Sequence, residues 1–278
     1  MRRFRPILFL LVLCLLVACR AGSSRKPISL TAVFLDVGQG NSVLLRTSGG
    51  DVLIDCGPEA SQETLCRKLK SRGVKRLELV ILTHPDEDHI GGADAVLDAF
   101  PTDAVWINGV TAENESDQRL RETVSRLSAE VSVVRAGDSL LLGEVLLTVL
   151  YPTEDATVTE GNGGSIVVLA QCGETLLLLM GDAEQTTETL LLDRYGAHLS
   201  VDVLQVGHHG SNSSSDPDFL RAVAPTYAVI SCGTGNRYGH PDGRALARLR
   251  AVNAEILRTD LLGDIVLESD GKSFSRTD

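Results

Sequence analysis

The stretch "LELVILTHPDEDHIGG", residues 77–92, decides how the chain is read. Its apolar half, bounded by turn formers, predicts a buried β-strand, and "IGGADAVLDAF" predicts a helix behind it. Between them lies a loop carrying His84, Asp86, Asp88 and His89. Loops at the C-terminal ends of strands in α/β sheets are where functional groups collect. In extended chain His84 and Asp86 point to the same side. Once the loop turns, Asp88 and His89 face a second point. Imidazoles and carboxylates divided in this way make a donor set for two neighbouring cations.

Working outward, strands and helices alternate. "ISLTAVFLDV", "NSVLLRT" and "DVLIDCG" read as strands, residues 59–71 as a helix, "DAVWIN" as a strand and 115–128 as an amphipathic helix. Short strands with glycine turns follow. "SIVVLAQC" and "ETLLLLMGD" predict a hairpin, residues 184–195 a helix, and the tail repeats strand–helix units. The expectation is one α/β domain over residues 29–278, with two mixed sheets and helices outside; pattern alone does not set the strand order. Three further apolar strands end in candidate ligands: Asp182 after "LLLLMG", His208 and His209 after "VLQVG", and His240 in "RYGHP". Of the six histidines, only His198 falls outside these motifs, which argues for a common site over scattered structural roles.

The chain opens with Arg2, Arg3 and Arg5 before the apolar run 7–17, which predicts a secretory signal too short to span a membrane. It ends in "LVAC", residues 16–19, which resembles a bacterial lipobox. That resemblance implies removal of residues 1–18, a diacylglycerol group on Cys19 and a short tether over 19–28. The expected location is the extracytoplasmic face of a membrane, held by lipid. The net charge is −11, and losing the three arginines makes the mature chain more acidic still. Such a chain has no sequence-wide basic surface for gripping nucleic acid, so a phosphate substrate needs local cations such as bound metal. Cys56, Cys66, Cys172 and Cys232 lack zinc-type spacing and read as isolated buried thiols.

"HPDEDHIGG" resembles the metal motif of the metallo-β-lactamase superfamily. With "FLDVGQGNSVLL", "LIDCG", "LLLLMGD", "VGHHGSNSSS" and "NRYGHP", the chain from about residue 29 to 270 resembles the soluble domain of ComEC-type competence proteins. The resemblance implies an αββα four-layer sandwich with two divalent metal ions, Mn²⁺ or Zn²⁺, along one edge. Carried over by position, His84 and Asp86 help bind one metal, Asp88, His89 and His208 the other, and Asp182 bridges both. His209 is the alternative to its neighbour. Asn162 and Asp36 are further candidates, with Gln39 beside Asp36 in a supporting shell. Asp88 and Asp182 also serve the chemistry, and His240, before Pro241, reads equally as a group that orients phosphate or protonates the leaving oxygen and as a structural hydrogen bond behind the site. The superfamily has His where this chain has Asp86, and another near 162–165, where this chain reads "GNGGSIVV". ComEC-type relatives have Asn before Ser165; here it is Gly164. Carboxylate in place of imidazole favours Mn²⁺ or Mg²⁺ over Zn²⁺ relative to a His-rich site.

"DVGQG" lacks the GxGxxG spacing and a following helix, so it reads as a tight turn between strands. "GSNSSSDP" reads equally as a turn with a helix cap or as a phosphate-holding loop. The leading expectation is an extracytoplasmic phosphodiesterase or nuclease acting on DNA in a competence-related role. A phosphorylcholine or other cell-envelope phosphodiesterase is the alternative, and a non-catalytic metal- or DNA-binding module is the reading from another class.

Overall fold

The computed structural model describes residues 29–127, 129–156 and 161–277. The first half of the chain alternates β1 (Leu30–Phe34), β2 (Val43–Thr47), β3 (Gly50–Ile54), α1 (Gln62–Ser71), β4 (Leu77–Leu82), α2 (Glu87–Ile90), α3 (Ala93–Ala99), β5 (Thr102–Ile107), α4 (Glu115–Arg126) and β6 (Glu130–Val133). The second half holds β7 (Ser139–Leu142), β8 (Val145–Tyr151), β9 (Val167–Cys172), β10 (Thr175–Leu179), α5 (Gln185–Tyr195), β11 (Val203–Gln205), α6 (Pro217–Val223), β12 (Tyr227–Ile230), α7 (Gly243–Ala251) and β13 (Glu255–Arg258). It closes with α8 (Thr259–Leu262), β14 (Ile265–Ser269) and β15 (Phe274–Thr277).

Among the described residues the strands form two sheets, ordered β15-β14-β1-β2-β3-β4-β5-β6 and β13-β12-β11-β10-β9-β8-β7. Both are mixed. β3 to β6 run parallel in the first sheet, β10 to β13 in the second, and the remaining pairs are antiparallel. Strand periodicity explains the layering, because alternate side chains leave opposite faces. On β1, Leu30, Ala32 and Phe34 enter the core between the sheets, whereas Val33 joins the layer under the helices. On β10, Leu177 and Leu179 point inward and Leu178 outward. The outer face of the first sheet is covered by α1, α3 and α4 through Leu65, Leu69, Val96 and Leu120. That of the second is covered by α5, α6 and α7 through Leu191, Phe219, Leu220 and Leu249. Each such fully buried aliphatic or aromatic side chain contributes roughly 1.5–3 kcal/mol relative to exposure. The result is the expected αββα sandwich.

Two local expectations are adjusted. The predicted helix over 59–71 begins with a 3₁₀ turn, Glu59–Ser61, before α1. The strands after residue 130 do not form one meander: β6 closes the first sheet and β7 opens the second. The four cysteines at 56, 66, 172 and 232 are free thiols. No described helix is long and apolar enough to cross a membrane. The predicted lipidation position, Cys19, lies outside the described residues.

Candidate metal centre

Parallel neighbours share a C-terminal end, so the loops after β3 and β4 converge, as do those after β10, β11 and β12. The two groups meet where Ile166 N donates to Thr83 O at 2.9 Å. This seam gathers Asp55, His84, Asp86, Asp88 and His89 from the first half with Asp182, His208 and His209 from the second.

Asp182 is the centre. Its Oδ1 lies 3.0 Å from His89 Nε2 and 3.5 Å from His209 Nε2. Its Oδ2 lies 4.0 Å from His84 Nε2 and 3.9 Å from His208 Nε2. His209 Nε2 is also 3.1 Å from Asp88 Oδ2, and His84 Nε2 is 3.5 Å from Asp86 Oδ2. Two compact donor groups result: His84, His89 and Asp182, and Asp88, His89 and His209. Asp86, with its side chain 43% exposed, borders the first.

The histidine choice left open by the sequence falls to geometry. His209 is buried against Asp88 and Asp182, while His208 sits on the opposite side of Asp182, with His84. The placement of His208 beside Asp88 and His89 is therefore corrected in favour of His209. The cause is a pair of consecutive left-handed residues, His208 at φ 48° and His209 at φ 52°. This turn splays the two rings apart. Left-handed backbone costs an L-residue roughly 1–2 kcal/mol, and such strain collects at functional sites.

The outer nitrogen of each ring is already committed. His89 Nδ1 donates to Asp55 Oδ2 at 2.7 Å, and His209 Nδ1 donates to the Ser231 carbonyl at 2.8 Å. His84 Nδ1 meets Thr83 Oγ1 at 3.1 Å and Ser165 Oγ at 3.3 Å. A neutral imidazole donating through Nδ1 presents a lone pair at Nε2. The Nε2 atoms of His84, His89 and His209 and Asp182 Oδ1 are buried without a hydrogen-bond partner. Lone pairs aimed at carboxylates repel unless a positive charge stands between them. The donor set therefore fits divalent metal. The negative charge facing these rings draws positive charge of any kind, a proton on His89 included. Burial alone would lower His89 and raise Asp182, yet the facing charges win, holding His89 well above the usual imidazole range and Asp182 well below the usual carboxylate range. Asp88 is likewise lowered, its His209 and His89 neighbours outweighing burial.

Asp55 was not predicted. It is fully buried at the end of β3 and accepts from Asn41 Nδ2 at 2.9 Å, Thr83 N at 2.8 Å and Thr83 Oγ1 at 2.9 Å, besides His89. Carboxylate–histidine pairs of this kind fix the tautomer of a metal ligand. The signal was available: "LID" ends an apolar strand in an acid, as "LLLLMGD" does. Glu184, two residues after Asp182, was also missed; it accepts from His208 Nδ1 at 2.9 Å and Asn162 Nδ2 at 3.2 Å.

Other candidates fall outside the cluster. Asp36 accepts from its own loop at Gly38 N, 3.1 Å away, so it is not placed as a ligand. Gln39 accepts from Gly233 N at 3.2 Å and lines the cleft. Asn162 lies against His208, 3.1 Å from Nδ1. Ser165 spans two ligands, since its hydroxyl meets His84 and accepts from Asp182 N at 3.2 Å. The "GQG" turn supports the metal loop through its backbone. Asn41 N donates to Asp88 O at 3.1 Å, and a Cβ on Gly40 would overlap that same carbonyl. In "GSNSSSDP" the side chains serve structure: Asp216 caps α6, and Ser214 Oγ donates to Gly207 O. His240 packs edge-on to His208, ring centroids 5.4 Å apart. Burial, then His208 and His209, lower its basicity.

Residues 35–234 match the family model described as the metallo-beta-lactamase superfamily. The chain is 37% identical over 229 residues to the Competence protein ComA of Neisseria gonorrhoeae, covering 82% of this chain and 30% of that protein. It is 30% identical over 249 residues to ComE operon protein 3 of Bacillus subtilis, covering 83% and 32% respectively. It thus spans about a third of these relatives' length. The metallo-beta-lactamase fold protein YhfI from Bacillus subtilis superposes with a TM-score of 0.59 at 12% identity, over 86% of this chain and 100% of that one. That likeness concerns the fold alone.

Proposed function

This chain belongs to the metallo-β-lactamase superfamily, and from its site we propose a metal-dependent phosphodiesterase that cleaves DNA in a competence-related role. The observation that carries the reading is the orphaned ring of donors around Asp182. Asp88, His89 and His209 would hold one divalent ion, His84 and Asp86 would help hold another, and Asp182 stands within reach of both groups. A metal pair held there would supply Lewis-acid charge for phosphate oxygens and lower the pKa of bound water. The chain's own groups do the rest. Asp55, Thr83 and Ser231 engage the Nδ1 side of the ligating rings, which leaves Nε2 to face the metal, and His209 lies against Asp88 at the cleft. His240, whose basicity is lowered by burial and its histidine neighbours, offers a ring N–H to hydrogen-bond a phosphate oxygen. Asp86 makes the first site harder than an all-imidazole one, which favours Mn²⁺ over Zn²⁺.

The likeness to competence proteins supports DNA as substrate. Anchoring through Cys19 on the outer face of a membrane belongs to the same proposal. In cells, the Cys19→Ser protein then leaves the membrane fraction, and a processed variant that stays there removes the anchor. For the chemistry, the chelator-treated protein is reloaded with Mn²⁺, Mg²⁺ or Zn²⁺ and given DNA, phosphorylcholine esters and simple diesters, with Asp182→Ala as control. DNA cleavage strongest with Mn²⁺ is expected. Phosphorylcholine release without DNA cleavage would replace the substrate, and no metal-dependent turnover would leave a binding module.

A further inference from the structure

Above the metal cluster lies a cleft of ≈ 560 Å³ lined by Gln39, Asp86, Asp88, Asn236, Arg237 and Tyr238, among others. Its far wall is the loop 233–240. Asn236 organises that loop with both ends of its amide. Its Nδ2 donates to Gly233 O and His240 O, and its Oδ1 accepts from Tyr238 N at 3.2 Å and His240 N at 3.0 Å. A loop tied at four points is a scaffold for what it presents.

What it presents is a column. Tyr238 stacks on His240, with centroids 5.9 Å apart and planes 13° apart, and His240 in turn abuts His208. The Arg237 guanidinium lies over the Tyr238 ring, 4.9 Å from its centroid, and donates to its hydroxyl at 2.8 Å. Both residues are exposed, and among the described residues no carboxylate pairs with Arg237. Several of the chain's cations are paired with acids, as Arg72 with Asp264 and Arg258 with Asp260 are. Here one is held by a ring, which leaves guanidinium donors free to face the cleft.

We propose that Arg237, positioned by Tyr238, grips the phosphate next to the scissile one and makes the site prefer single-stranded polynucleotide over a one-phosphate diester. The inference rests on the hydrolase reading above and deepens it. Two physical points favour it. A guanidinium takes phosphate in a fork geometry that a lone metal pair does not extend to a second phosphate. A quaternary ammonium such as choline needs an open aromatic face, and here Arg237 already covers the face of Tyr238. The cleft's wall is thus arranged for an anion. A single strand also turns its backbone and bases towards such a wall more readily than a duplex does.

The test uses the Mn²⁺-loaded protein and compares a labelled single-stranded oligonucleotide with bis(p-nitrophenyl) phosphate. Arg237→Gln is expected to raise KM for the oligonucleotide about fivefold with kcat unchanged, and to lower the salt slope of its binding by about 0.7. Turnover of the simple diester stays within twofold, and Arg237→Lys recovers part of the KM loss. Equal losses on both substrates, or none on the oligonucleotide, would overturn the assignment. If neither substrate is turned over, the hydrolase reading fails by itself. An anisotropy titration of the same oligonucleotide then decides: weaker binding by Arg237→Gln upholds the phosphate grip, and an unchanged Kd and salt slope removes it.

Discussion

Replacing Asp55 with Asn changes one atom in a fully buried carboxylate and tests whether the site depends on the tautomer of His89. Asp55 Oδ2 accepts from Asn41, Thr83 and His89, and Oδ1 accepts from Thr83 N. Every neighbour donates to the carboxylate as it stands, so the NH₂ of an asparagine displaces at least one of these bonds. Turned to the Oδ1 side it faces Thr83 N–H, and turned to the Oδ2 side it faces three donors. The milder orientation leaves one donor–donor contact in the interior, about 1–3 kcal/mol of folding stability. His89 also loses the charge that holds its proton on Nδ1, and residues in this orienting position typically govern metal affinity by about 10–100-fold. The assay has two arms. Competition with a chromophoric chelator gives the Mn²⁺ and Zn²⁺ affinities, and urea unfolding of the metal-free protein gives the stability change. Loss of at least about tenfold in affinity at one of two sites is expected. A variant that is destabilised but binds metal within twofold of the parent would show Asp55 to be structural only, and the orienting argument would fail.

Asp182→Ala should lose bound metal, measured by elemental analysis after dialysis, while circular dichroism shows a folded domain; full metal content would displace Asp182 from the centre. Asp86→His should shift the activation ratio from Mn²⁺ towards Zn²⁺, and an unchanged ratio would mean that this carboxylate does not reach the metal. Gly40→Ala should weaken metal retention without touching a ligand, because its Cβ overlaps the Asp88 carbonyl, and wild-type affinity would show that the loop yields freely. Burial pushes the Glu188 carboxyl up to about 7 despite amide donors at Ser215 and Asp216. With a folded value above the unfolded ~4.3, its contribution is fully present below about pH 4 and is lost as pH rises through 7. Relative to Glu188→Gln, the wild type should therefore lose up to about 3 kcal/mol between pH 4.5 and 8.5, and parallel stability profiles would refute this.

Much of the site was legible because its chemistry is local. "THPDEDHIGG" places four candidate donors within six positions, and nothing distant is needed to see that they share a loop. Asp182 was legible for a related reason: an acid ending a run of buried leucines has few explanations other than function. Asp55 carried the same signal more faintly, and its role emerges only beside His89, 34 residues away. Asp36 misled because an acid beside glycines in a turn looks the same whether it faces a metal or caps its own loop.

The sequence by itself determined most strands, the outer helices and the residue types that gather at the site, because side-chain period and residue type act over a few neighbours. It did not determine strand order, since a buried strand reads alike beside any partner. Only the tertiary structure decided between His208 and His209. Adjacent histidines have the same composition and the same neighbours in sequence, and their difference arises from two left-handed residues that turn one ring towards Asp88 and the other towards Glu184. That backbone is held from outside the segment, by Gly181, Ser231 and the β12 edge it rests on, and contacts of that range are not written in a local stretch of chain.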